Sequence, residues 1–160
     1  MARQWMQSIA TGPTRAAIMP GMMAALALAC ASCAPASSAP PGEPVDAPCT
    51  VTDGDTIRCG DERIRLLGID APELPGHCRK GRTCVEGDGF ASKDALKAAI
   101  EGKAITLQRV KLDRYGRTLA VVYAGDVNLS CAMVESGQAV YVRKWDDRRL
   151  VARDCNSLEQ

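Results

Sequence analysis

The stretch Ile64–Glu73, IRLLGIDAPE, starts as an apolar strand and ends with two carboxylates, Asp70 and Glu73, on either side of Pro72. The proline keeps Ala71 out of the helical region, so the chain leaves the strand extended and presents both acids on a stiff turn. A strand that only had to fill a core would have no use for such an end. Upstream, the short alternating runs CTVT, DTIRC and RIRLLGI are divided by Asp53-Gly54 and by Gly60-Asp61, pairs suited to tight turns. This pattern predicts a three-stranded meander whose strand ends, with Asp53 and Asp55, gather at one rim.

After Glu73 the period breaks. LPGHCRKGRTCVEGDG is rich in proline, glycine and charge and reads as a surface loop. FASKDALKAAI restores helical spacing, with Phe90, Leu96 and Ile100 on one face and Gly102 as the stop. AITLQRVKL and TLAVVYA follow as a fourth and a fifth strand joined by the charged DRYGR. VNLSCAMVESG reads as a short helix capped by Asn128 or Ser130 and ended at Gly137, with QAVYVRKW extended behind it. The expected class is α+β, mainly β: a five-stranded, partly closed barrel with two helices packed at its side. A plain α+β sandwich is the alternative.

A chain of 160 residues with 46% hydrophobic and 4% aromatic content holds one modest domain. Its first part has the order of an export signal: Arg3 and Arg15 without acids, then the apolar AAIMPGMMAALALACASCA, then the flexible PASSAPPGEPVDAP. The expected division is a signal over 1–33, an Ala/Pro/Ser-rich linker over 34–48 and the folded domain over 49–160, with export to the periplasm or the exterior. An uncleaved anchor competes, but Pro20-Gly21 interrupts the apolar run. A lipid anchor on Cys30 also competes, although Ala27 stands where a lipobox usually has Leu. Removing the first 45 residues takes Arg3, Arg15 and Glu43 from the 20 basic and 19 acidic residues and leaves 18 of each, so the part from Asp46 to Gln160 is formally neutral. Net charge therefore steers no polyanion towards it, and any phosphate site must be a local cluster.

Six of the eight cysteines, Cys49, Cys59, Cys78, Cys84, Cys131 and Cys155, lie in that part, an even number suited to an oxidising compartment. Zinc is disfavoured, since His77 is the only histidine and no Cys-x-x-Cys pair occurs there. Of the fifteen pairings six cysteines allow, proximity in sequence favours Cys49 with Cys59 and Cys78 with Cys84. Elimination leaves Cys131 with Cys155.

Three segments concentrate charge at strand ends: Asp53 with Asp55, then Arg65 with Asp70 and Glu73, then Asp113, Arg114 and Arg117. Oxygen-only ligation by Asp55, Asp70 and a backbone carbonyl, without histidine or thiolate, suits calcium rather than zinc or copper. Each segment alone is also what a solvated turn or a surface ion pair looks like. Together, DGDTI, IRLLGIDAPE and DRYGRTLA, in that order and separated by a helix, resemble the staphylococcal nuclease (thermonuclease) family over roughly Cys49 to Trp145.

The resemblance implies an OB-type five-stranded barrel with helices and a calcium-dependent phosphodiesterase that cuts single-stranded DNA and RNA, leaving 3′-phosphate ends. It implies Asp55 and Asp70 as calcium-ligating carboxylates, with Ala71 lending only its backbone carbonyl where the family has Thr. Glu73 corresponds to the glutamate that activates or orients the attacking water, and Arg65 and Arg117 to the two arginines on the scissile phosphate. Asp53 fits a supporting carboxylate, and Tyr115 a residue lining the nucleotide pocket. A monomer is expected. The chain departs from the family in a nearly absent C-terminal helix, for which a Cys131–Cys155 bridge can substitute, and in the HCRKGRTCVEGDG loop, where His77, Arg79, Lys80 and Arg82 offer positive charge to a nucleic-acid strand. The rival reading is a non-catalytic OB-type module binding nucleic acid, oligosaccharide or protein. Arg65, Glu73 and Arg117 together favour the enzyme, since a binder needs no carboxylate opposite two phosphate-holding arginines.

Overall fold

The computed structural model describes residues 40–158, so the expected export signal over 1–33 lies outside the described residues. The expected linker is not wholly without structure, because β1 (Glu43–Pro44) pairs Glu43 with Leu107 and Pro44 with Thr106. It forms the edge of the main sheet, where a proline deprives no neighbour of a hydrogen bond. Strands β2 (Cys49–Asp53), β3 (Thr56–Cys59) and β4 (Glu62–Leu66) make the antiparallel meander.

RIRLLGI does not continue as one strand. Leu67 and Gly68 turn the chain, and Gly68 at φ +74° has Asp146 Cβ only 3.1 Å from where a side chain would begin. β5 (Ile69–Asp70) then leaves the main sheet and takes Tyr141 and Val140 as partners. Helix α1 (Gly89–Ile100) starts at Asp88, whose carboxylate accepts from the Phe90 and Ala91 amides.

Its buried face differs from the expected one. Leu96 is buried, but Phe90 is 58% exposed and the other buried positions are Gly89 and Ser92. The reason is close backbone approach: a Cβ on Gly89 would lie 2.4 Å from the Glu73 carbonyl oxygen, and one on Gly54 1.9 Å from Ser92 Oγ. Ser92 Oγ also donates to the Gln138 carbonyl at 2.7 Å. Only small residues fit this seam, and Phe90 turns outward.

Strands β6 (Ile105–Leu112) and β7 (Thr118–Ala124) pair antiparallel, and β4 joins β7 in parallel, giving the order β1-β6-β7-β4-β3-β2. β7 is buried on both faces. Its Ala120, Val122 and Ala124 enter a core with Ile57, Ile64, Leu66, Ile69, Leu96 and Leu107, while Val121 and Tyr123 enter a second cluster with Leu67 and Val151. Each fully buried Leu or Ile side chain stabilises by about 1.5–3 kcal/mol.

β8 (Val127–Asn128) returns along β7, and the Asn128 side chain then caps α2 (Leu129–Glu135), accepting from the Ser130 and Cys131 amides. QAVYVRKW is extended only at β9 (Val140–Tyr141), after which Arg143–Trp145 form a 3-10 turn. A third helix, α3 (Leu150–Asp154), stands where almost none was expected. Asp146 fixes its start, accepting from the Val151 and Ala152 amides, and the Cys131–Cys155 bridge ties it to α2. Bridges also join Cys49 to Cys59 and Cys78 to Cys84.

The fold is α+β and mainly β, with three α-helices rather than two among the described residues. The five long strands expected of the barrel are present, but among the described residues no ladder joins β2 to the far edge of the sheet, so strand pairing does not close a barrel. Instead α1 packs against β2 and against α2.

Candidate active site

Two long-range pairings assemble the site. The parallel register of β4 on β7 sets Arg65 opposite Leu119, beside the strand end that carries Arg117. The pairing of Asp70 with Val140 holds the end of β5 against β9. An open cleft of about 1070 Å³ results, lined by Asp53, Asp55, Arg65, Ala71, Glu73, Tyr115 and Arg117, together with Arg79, Lys80 and Arg82 of the loop.

Its floor is a carboxylate and guanidinium network. Asp55 is buried; Arg65 Nη1 donates to its Oδ1, as does Thr56 Oγ1 at 2.9 Å, and the Ala71 amide donates to Oδ2 at 3.3 Å. Asp53 Oδ1 accepts from the Asp55 amide at 3.2 Å. Arg65 Nη2 donates at 3.0 Å to Asp70 Oδ1 and at 3.3 Å to the Ile69 carbonyl, so one guanidinium joins both buried acids. Burial pushes the Asp55 carboxyl up to about 7, the negative charge of Asp53 adding to this and Arg65 opposing it.

Asp70 lies behind the cleft wall, covered from the loop side by Arg82. Arg82 Nη2 donates to both Asp70 oxygens at 2.7 Å, and Nη1 donates to Glu73 Oε1 at 3.0 Å. The bonds to Asp70 hold the Arg82 guanidinium above its ordinary pKa against the opposing effect of burial.

At the far side Arg117 is held by Asp113, with Nε on Oδ2 at 2.8 Å and its amide on Oδ1 at 2.9 Å. Burial acts to raise the Asp113 carboxyl, but the amide and guanidinium of Arg117 outweigh it and the net direction is down. The Tyr115 ring lies under Arg79, Arg114 and Arg117 at 4.6, 4.8 and 5.5 Å, and its hydroxyl accepts from Arg79 Nη1 at 2.7 Å. What burial there is acts upward on that hydroxyl, yet Arg114 and Arg79 draw it below the usual tyrosine range.

The structure thus brings Asp53, Asp55, Arg65, Ala71, Glu73, Tyr115 and Arg117 to one cleft, with Asp70 immediately behind it. Glu73 is not free in the cleft, since Arg82 holds one of its oxygens. Two contacts go beyond what the sequence indicated, Arg82 having been expected only as positive charge for a nucleic-acid strand. Trp145 stacks with the Arg65 guanidinium 5.5 Å from its ring centre, and Arg82 enters the acid cluster itself. The sequence signal for Arg82 was a short Cys-to-Cys span containing three cations; Trp145 had none, because it arrives on a 3-10 turn.

Among the described residues no three His, Cys, Asp or Glu side chains converge as a ligand set. A cation here would rest on Asp55, Asp70 and the Ala71 carbonyl, hard oxygen donors that suit calcium or magnesium. Asp55 is buried with Arg65 as its cationic partner, so a cation bound here would further offset the desolvation of its charge. Asp70 fits only once Arg82 has released it.

A mainly β domain with buried acids and facing arginines has the donor set of a protein that handles an oxygen-rich anion beside a cation. The pattern of the family described as Staphylococcal nuclease homologue matches residues 63–160, and the chain belongs to this family. It is 40% identical over 94 residues to an uncharacterized endonuclease of Escherichia coli, covering 56% of this chain and 55% of that protein. It is 39% identical over 100 residues to the thermonuclease of Staphylococcus intermedius, covering 56% and 54%. It is also 34% identical over 112 residues to the succinoglycan biosynthesis protein ExoI of Rhizobium meliloti, covering 69% and 58%. The chain spans about half the length of the curated relatives it matches.

Proposed function

We propose that this protein is an exported, calcium-dependent nuclease that hydrolyses phosphodiester bonds of single-stranded DNA or RNA and leaves 3′-phosphate ends. The observation that carries this reading is Glu73 lining one cleft with Arg65 and Arg117. Relatives named endonuclease and thermonuclease support it. The three disulfides support work in an oxidising compartment.

Attack on a phosphodiester builds negative charge on the equatorial oxygens, so donors fixed in advance stabilise the transition state more than the ground state. Arg65 and Arg117 are such donors, their planes set by Asp55, Asp70 and Trp145 on one side and by Asp113 and Tyr115 on the other. Asp55, Asp70 and the Ala71 carbonyl would hold the calcium ion, which when bound supplies further neutralisation of the phosphate. Glu73 accepts the proton of the attacking water. The bond from water oxygen to phosphorus forms as the bond to the 5′ oxygen breaks, and that oxygen takes a proton from solvent. Lys80, Arg79 and Arg114 around the cleft provide the local positive charge that a formally neutral domain lacks overall.

The disulfide-bonded protein should cut single-stranded DNA with calcium and not with a chelator. Arg117→Ala should lose about 10² to 10³ in rate while its circular dichroism stays that of the wild type. Glu73→Gln should slow cleavage while keeping its affinity for a non-cleavable oligonucleotide. DNA binding without any calcium-dependent cleavage would put the binding module in place of the enzyme.

A further inference from the structure

The loop 76–87 has no regular secondary structure and is closed on itself by the Cys78–Cys84 bridge. Among the described residues two of its side chains bond to the rest of the fold, Arg79 to Tyr115 and Arg82 to Asp70 and Glu73. The second contact has an unusual form. A single nitrogen of Arg82 spans both oxygens of Asp70, and the other terminal nitrogen takes Glu73. That is the arrangement in which a cation bridges carboxylates.

We propose that Arg82 is a built-in counter-cation of the acid cluster, which holds Asp70 and Glu73 until a divalent cation takes its place, and that the Cys78–Cys84 bridge keeps it within reach. The inference rests on the nuclease reading for the cation, but its chemistry is that of the carboxylates alone. Asp70 is nearly buried, its side chain 9% exposed, and if the loop left with nothing in its stead Arg65 would still hold Oδ1 but Oδ2 would stand buried without a partner, at a cost. Its two oxygens cannot face a guanidinium and ligate an ion in the same direction, so the two occupants exclude one another. Arg82, at 35% side-chain exposure, is open enough to swing into solvent.

Two consequences follow by linkage. Whatever strengthens the hold of Arg82 weakens cation affinity, and cation binding loosens the loop by the same free energy. The disulfide belongs to the device because a short closed loop raises the effective concentration of Arg82 at the acids. Reducing the bridge to two thiols with a dithiol, itself oxidised to a disulfide, would therefore favour the cation.

The test is calorimetric titration of calcium into the full disulfide-bonded protein, its Arg82→Gln variant, a Cys78→Ser/Cys84→Ser variant and the combination. A charge-assisted bond, discounted for exposure, corresponds to about tenfold in affinity, so Arg82→Gln should bind calcium about tenfold more tightly. The serine pair should move the same way by less, and the combination should add nothing to Arg82→Gln. Hydrogen exchange of the wild type should show amides of 76–87 losing protection when calcium is added.

Equal affinity in wild type and Arg82→Gln, weaker binding in the variant, or a loop gaining protection would overturn the proposal. So would the absence of calcium binding in both proteins. The nuclease reading is judged separately, by chelator-sensitive cleavage in the wild type, and survives if Arg82→Gln leaves calcium affinity unchanged.

Discussion

Arg65 and Arg109 are both strand arginines that join two acids, and of this pair only Arg65 is at the cleft. Arg65 links Asp55 and Asp70 at the end of β4, with side-chain exposures of 12%, 6% and 9%. Arg109 links Glu62 and Glu43 across the sheet edge, with exposures of 38%, 31% and 79%. Both look alike in sequence, as a cation within a strand. The difference lies in desolvation. The exposed network loses to water screening most of what its geometry supplies, whereas the buried one leaves charges that only each other or a bound ion can satisfy. The Arg109 network staples β1 to the edge of the sheet, and the Arg65 network fixes charge where a substrate could use it.

The comparison breaks most visibly at Arg65. Arg65→Ala should lose about 10² to 10³ in cleavage rate. It should also lose about 3 kcal/mol of stability, because Asp55 and part of Asp70 are left buried without their partner. Urea unfolding followed by circular dichroism reads the second effect, and gel-resolved cleavage the first. An Arg65→Ala protein as stable as wild type would mean that the buried pair contributes nothing net, and the contrast with Arg109 would vanish. Arg109→Ala should cost less than about 1 kcal/mol and leave cleavage unaltered, since no group in the cleft touches it.

What the sequence made legible follows the range of the interaction concerned. The meander, β6 and β7 were readable because alternation and Gly-containing turns are local, and the acid cluster because its residues sit at strand ends in a recurring order. Phe90 was misplaced because hydrophobic spacing ignores how closely backbones approach, and the seam of Gly54, Gly89 and Ser92 reserves that face for small residues. β1 was lost in a proline-rich linker, since two paired residues carry no period. The contact of Arg82 with Asp70 spans twelve residues and depends on the fold of an aperiodic loop, so nothing short of tertiary structure reveals it. The same holds for Trp145 against Arg65.

The finest probe of the contrast is pH. The bonds from Arg109 pull the Glu62 carboxyl below its ordinary 4.5, burial opposing and Thr118 Oγ1 helping at 2.7 Å. A carboxyl lowered in the folded state binds fewer protons folded than unfolded around that pH. Its contribution is therefore complete above 4.5 and is lost as pH falls through the lower folded value. Glu62→Gln removes this one slope and leaves every other carboxylate titrating as before. Urea midpoints of wild type and variant, compared at neutral pH and well below 4.5, should converge in acid by less than about 1 kcal/mol. A gap that stays constant across that range would mean the Glu62 contact is packing rather than charge. A gap of several kcal/mol would make the edge network as strong as the buried one, and exposure would no longer distinguish the two arginines.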